Sequence, residues 1–320
     1  MSQTNYLNFY KLSLRRYGQG EYCSFEELYN YFDVDLNGDE DAIFNRIVIE
    51  YVKSFNSGFA MSNDSKRAMT ARTEFIKHDK NDKIIYGFVE GGITNTEFEK
   101  YNRKSNVKAD SSVTTGDVLS QHYFFLLWLP SDTNIGIAIL QSNDSVDKGI
   151  ASVFFDHLKD FFKSRNFTID KQSYTPKKVI ESYKKNADVT AIDVIQTIDV
   201  DPFKSKHGIV NQIKVKHTIS GFRIESKEIL KNLKDRNLLK KLIAEAGLSD
   251  ISSSKVQIKL KEGSKTERTY TLEGDMASVR VVIDNDVDMS KSDYGIKSVK
   301  NFVNQYFKAA REEITKTRRS

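Results

Sequence analysis

Two apolar runs constrain this chain more than anything else in it. "HYFFLLWLP", from His122, and "IGIAILQS", from Ile135, are joined through Pro130, Ser131, Asp132, Thr133 and Asn134. Neither run is long enough to span a bilayer, and the joining residues have turn chemistry, so the pair predicts a hairpin of two buried strands. "GIASVFFDHLKDFFKSR" follows, with Ile150, Val153, Phe154, His157, Leu158 and Phe161 on one helical stripe. A helix covers the hairpin.

Upstream, "NYLNFYKLSLRR" alternates as a strand. "SFEELYNYF" reads as a short helix with Ser24 as N-cap and Glu27 as its capping-box partner. "DAIFNRIVIEYVKSF" places Ile43, Ile47, Val48, Tyr51 and Phe55 at helical spacing. "SGFAMSNDSKRAMTARTEFIKHD" and "KIIYGFVEGG" read as strands, the second closing in a turn at Glu90, and "ITNTEFEKYNRKSNVKADSSVTTGD" as a loop with some helix. Downstream, Pro176 and Thr175 open a short helix that gives way to extended chain. "NQIKVKHTISGFRI" and "KVQIKLK" are strands, "SKEILKNLKDRNLLKKLIAEAG" is a helix, and "IKSVKNFVNQYFKAAREEI" is a closing amphipathic helix through Val299, Phe302, Val303, Tyr306 and Phe307. The expected class is α+β, with two mixed domains, 1–170 and 171–320, each an antiparallel sheet with packed helices.

Charge separates the two. Residues 201–320 hold 25 Lys and Arg against 16 Asp and Glu, whereas the rest of the chain holds 24 against 28. In "KVQIKLK" the lysines alternate with Val256, Ile258 and Leu260, so one strand face is cationic and the other apolar. "NQIKVKHTIS" repeats the arrangement with Lys214 and Lys216. From 204 to 268 there are 16 Lys and Arg against 7 Asp and Glu, an excess that suits a phosphate backbone. The expected duplex-DNA contacts are Lys214, Lys216, Arg223, Lys231, Lys234, Lys255, Lys259, Lys261, Lys265 and Arg268. A solvated edge where lysine blocks aggregation has the same composition. Stacking aromatics are missing from these faces, which weakens a single-strand or RNA-reading role.

Other chemistry is thin. "DVDLNGDED", from Asp33, imitates half of a calcium loop, but Phe44 stands where a bidentate glutamate belongs, so an acidic turn reversed by Asn37-Gly38 accounts for it. Asp201, Glu225 and Lys227 form a weak string for a metal-dependent nuclease. His78, His122, His157, His207 and His217 lack paired metal-ligand spacing, and His157 and His217 fall on apolar faces. No phosphate-binding glycine loop or nucleophile elbow occurs. The chain is read as non-enzymatic, with no cofactor and no metal. A lone Cys23 fits a reducing, cytoplasmic setting, and no signal peptide or membrane helix is expected.

In element order, from "NYLNFYKLSLRR" through "YGFVEGG" and "IGIAILQS" to "KVQIKLKEGSKTERTYTL" and the closing helix, the chain resembles the RexA-like phage-exclusion proteins of lambdoid prophages. The resemblance implies a cytoplasmic, dimeric DNA-binding sensor of abortive infection that triggers an effector, often a membrane protein. It transfers no site residues, and the acidic "DVDLNGDED" loop and the greater length depart from it. The expected function is DNA binding in anti-phage defence; the alternatives are the nuclease and a protein-interaction subunit of a defence complex.

Overall fold

The computed structural model describes residues 5–62, 66–94, 118–143, 150–179, 188–199, 212–222, 241, 255–261, 268–271, 281–283 and 287–317. The chain divides into two compact units, one made of Met1–Ser173 with Arg280–Ser320 and the other of Tyr174–Val279. The class is α+β with two sheets, and every described strand register is antiparallel.

In the first unit, β1 (Asn5–Arg16), β2 (Tyr22–Cys23), α1 (Phe25–Phe32) and α2 (Glu40–Lys53) lead into β3 (Ala60–Met61), β4 (Arg67–Thr70), β5 (Ile76–Asp79) and β6 (Ile84–Ile93). β7 (Leu119–Trp128) and β8 (Ile135–Asn143) form the expected hairpin, followed by α3 (Ile150–Lys163) and β9 (Phe167–Tyr174). The strand β14 (Val281–Val282) and the helix α4 (Asp293–Thr317) return to this unit from the far end of the chain. Among the described strands the order is β14-β1-β8-β7-β6-β4-β3, with β2 and β9 also on β1 and β5 on β6.

Burial on both faces explains the continuous apolar runs. Tyr123, Phe125 and Leu127 of β7 share one core with Phe44, Ile47 and Tyr51 of α2 and Val153, Phe154 and Phe161 of α3. The alternate residues Phe124, Leu126 and Trp128 are equally buried, and the Trp128 and Phe307 rings meet edge-on at 6.1 Å. Ile296, Val299, Val303, Phe307, Ala310 and Ile314 form the buried stripe of α4. Ion pairs join α4 to β5 and the turn that follows it: Asp293 to Lys77 at 3.0 Å, Lys300 to Asp79 at 3.5 Å and Arg311 to Asp82 at 2.6 Å.

Three expectations change. The closing helix and β14 belong to the first unit, so the division is not 1–170 and 171–320; β14 pairs with β1 at Tyr6 and Leu7. The strand over "KIIYGFVEGG" does not turn at Glu90 but continues through both glycines to Ile93, because β4 and β7 pair with that stretch from either side. Ser24 is the extended N-cap residue of α1 but forms no capping box: the Glu27 N–H donates to the Ser24 carbonyl at 3.2 Å rather than to its side chain, and the Glu27 carboxylate pairs with Arg16 at 2.7 Å. The helix expected over 226–247, apart from Lys241, and most of the loop from Ile93 to Asp117 lie outside the described residues.

The second unit holds β10 (Asp188–Asp199), β11 (Gln212–Ser220), β12 (Lys255–Lys261) and β13 (Arg268–Thr271) in the order β11-β10-β12-β13. Ile192, Val194 and Ile258 are buried on its apolar side.

Candidate nucleic-acid interface

The registers of β11 and β12 on β10 align the cationic residues. Lys214 stands opposite Thr197, Lys216 and Lys255 stand on either side of Ile195, and Thr218 and Gln257 stand on either side of Asp193. The same register pairs Lys259 with Ala191, and a bulge between Val189 and Ala191 then shifts it by one residue, so that Lys261 pairs with Asp188. Thr190, the extra residue, donates its hydroxyl to the Lys259 carbonyl at 3.2 Å. Both long strands therefore bring their lysines to the face that carries Asp193.

Asp193 is fully buried, and its surroundings keep it charged. Lys216 Nζ approaches Oδ2 at 2.7 Å, Lys259 Nζ lies 3.7 Å from the same oxygen, and the Thr218 hydroxyl donates to Oδ1 at 2.7 Å. Burial on its own raises the carboxyl's pKa, but the bonds from Lys216 and Thr218 and the two ammonium charges outweigh it and hold the group below its usual value. Lys216 keeps half of its side-chain surface in solvent while making this pair, and Lys261 is exposed. One buried anion thus anchors two cations at the middle of the face.

Six of the ten expected contact residues are placed by these strands. Lys214, Lys216, Lys255, Lys259 and Lys261 share the alternation, whereas Arg268 is in register with Leu260, one step out of phase with them. Arg223, Lys231, Lys234 and Lys265 lie outside the described residues, as do Asp201, Glu225 and Lys227. By unit, residues 174–279 hold 20 Lys and Arg against 14 Asp and Glu, and the remainder 29 against 30. The excess belongs to this unit, although part of the basic C-terminal segment belongs to the other.

Asp193 was not singled out in the sequence. Its signal is an ionisable residue in mid-strand with apolar neighbours on both sides, in "TAIDVIQ"; such a residue needs a cation when buried.

Elsewhere, the residues that imitate catalytic or metal sites have structural roles. Both Asp33 carboxylate oxygens accept from the Gly38 N–H at 3.1 Å, and Asp39 caps α2 by accepting from Asp41 and Ala42. Asn37 and Gly38 both have left-handed φ, as a chain reversal requires. Among the described residues no group of three or more His, Cys, Asp or Glu is arranged to hold a metal ion. Ser54 Oγ lies 3.0 Å from His157 Nε2, but the hydroxyl donates to the Tyr51 carbonyl at 2.5 Å. With the serine proton there, the imidazole is the donor in this contact, the reverse of a base activating a nucleophile. Burial lowers the His157 pKa, and its ring lies 4.2 Å from that of Phe55.

Comparison with protein-family models, curated proteins and solved structures finds no match for this chain. Among the described residues no helix is long and apolar enough to cross a membrane.

Proposed function

We propose that the second unit binds the phosphate backbone of duplex DNA through the face shared by Lys214, Lys216, Lys255, Lys259 and Lys261. The alignment of these lysines on two strands flanking β10 carries the proposal. A phosphate row needs cations at repeated spacing, and residues two apart on a strand recur about every 7 Å. Asp193 removes one charge from the cluster but restrains two long side chains, so less rotamer freedom is lost when a phosphate arrives. The contact is sequence-independent and non-catalytic. By the resemblance of element order, its biological setting is a sensor or accessory role in anti-phage defence, with the protein acting as a dimer on an effector.

The test is titration of labelled duplex into wild type and into a Lys214→Gln/Lys255→Gln/Lys261→Gln variant, which leaves the Asp193 ion pairs intact. The expected result is a loss of affinity of tenfold or more in the variant, and intact DNA with or without Mg²⁺. Equal affinity in both proteins refutes the interface, and Mg²⁺-dependent cutting refutes the non-catalytic assignment.

A further inference from the structure

A cleft of about 560 Å³ opens on the first unit. Tyr31 and Phe32 at the end of α1, Val34 after it, Arg46 and Glu50 of α2, and Ser164 and Arg165 between α3 and β9 line it.

Both guanidinium groups are held in place by the fold itself. Arg165 lies over the Phe161 ring at 3.9 Å and the Phe32 ring at 5.5 Å. Its Nη1 donates to the Phe161 carbonyl at 2.8 Å and to Ser164 Oγ at 2.7 Å, and its Nη2 faces Glu50 Oε2 at 3.4 Å. Arg46 uses Nη1 for the carbonyls of Phe32 at 3.1 Å and Val34 at 2.5 Å. No described hydrogen bond takes its Nη2 or Nε, which leaves about three of its N–H donors for a ligand. At the mouth, Tyr31 is 46% exposed and Val34 58%, an aromatic ring and an aliphatic patch facing water beside two cations.

These groups ask for one molecule with an anionic end and a flat apolar end. Tyr31 meets the Phe32 and Phe167 rings edge-on at 5.3 and 6.0 Å, and a bare anion makes no use of the part of it that stays exposed; a neutral aromatic makes no use of the Arg46 donors beyond Nη1. We propose that the cleft binds a nucleoside monophosphate, with the phosphate on Arg46 and Arg165, the base on Tyr31 and a sugar hydroxyl donating to Glu50. Guanidinium matches phosphate geometry, aromatic stacking accepts any base, and the volume falls within the usual range of small-molecule sites. The same chemistry occurs in a free nucleotide and at the 5′ end of a nucleic-acid strand.

Calorimetric titration of the full chain tests this with AMP, inorganic phosphate, adenosine, and one short oligonucleotide prepared with and without a 5′-phosphate. AMP or the phosphorylated strand is expected to saturate one site, with phosphate and adenosine at least about tenfold weaker than AMP where AMP binds. A free-nucleotide site takes AMP at least as tightly as the phosphorylated strand; a strand-end site prefers that strand and rejects its 5′-hydroxyl form. Arg46 also holds the chain after α1, so the exposed Tyr31→Ala is the decisive variant, expected to weaken binding about tenfold, with Arg46→Gln weaker by about tenfold or more. Binding unchanged in Lys216→Gln/Lys261→Gln separates this cleft from the lysine face. Three results overturn the proposal: no saturable binding of AMP or the phosphorylated strand, affinity unmoved by Tyr31→Ala, or affinity lost only in the lysine variant.

Discussion

Lys216 Nζ lies 2.7 Å from Oδ2 of the buried Asp193, so the most exposed cation of the pair is anchored to an anion beneath the sheet surface. This arrangement makes the face sensitive to acid. The folded-state pKa of Asp193 lies below its unfolded value, so its ionised form adds stability above about pH 4, and that contribution is lost as pH falls through the folded value. Asp193→Asn is expected to cost roughly 1–3 kcal/mol at pH 7. The gap between wild type and variant should narrow toward pH 3 in circular-dichroism melts. A gap of constant size across that range contradicts the assigned role.

Tyr51 offers a test of the opposite sign. Its ring is fully buried against Phe55, Phe125 and Phe161, and its hydroxyl has no hydrogen-bond partner among the described residues. Removing an unpaired buried hydroxyl relieves a desolvation cost, so Tyr51→Phe is expected to stabilise the first unit by about 1 kcal/mol. Urea unfolding followed by fluorescence measures it, and a destabilised variant refutes the packing described.

The lone Trp128 also reports on α4, because its ring packs on Phe307 and beneath Arg311. Phe307→Ala should cost about 3–5 kcal/mol and lower the urea midpoint seen by Trp128 fluorescence. Lys300→Ala, which removes the pair with Asp79 at 3.5 Å and the ammonium's contact with the Tyr86 ring at 4.3 Å, should cost less, about 1–2 kcal/mol. Equal effects from the two variants would mean that charge, not burial, holds the helix.

The sequence made individual elements legible and left their partnerships obscure. Ile43, Ile47, Val48 and Tyr51 report α2 by local periodicity, and the Pro130–Asn134 turn reports the hairpin, because both signals are contained within a few residues. That α4 covers the first sheet is a contact between residues about 180 positions apart, which no local pattern encodes. Its trace was present in "YFFLLW": a strand apolar at both parities needs cover on both faces, and α3 supplies only one. The lysine alternation was equally plain. The Asp193 anchor was not, because it depends on the registers that bring Lys216 and Thr218 of β11 and Lys259 of β12, 23 or more positions away, alongside β10.

The salt dependence of duplex binding tests the central claim most directly. If the lysine face holds phosphates, log Kobs should fall linearly with log salt, and the slope should become shallower by about 0.9 for each lysine neutralised, hence by roughly 2–3 in Lys214→Gln/Lys255→Gln/Lys261→Gln. A slope identical in wild type and variant, or no binding at low salt, would contradict it.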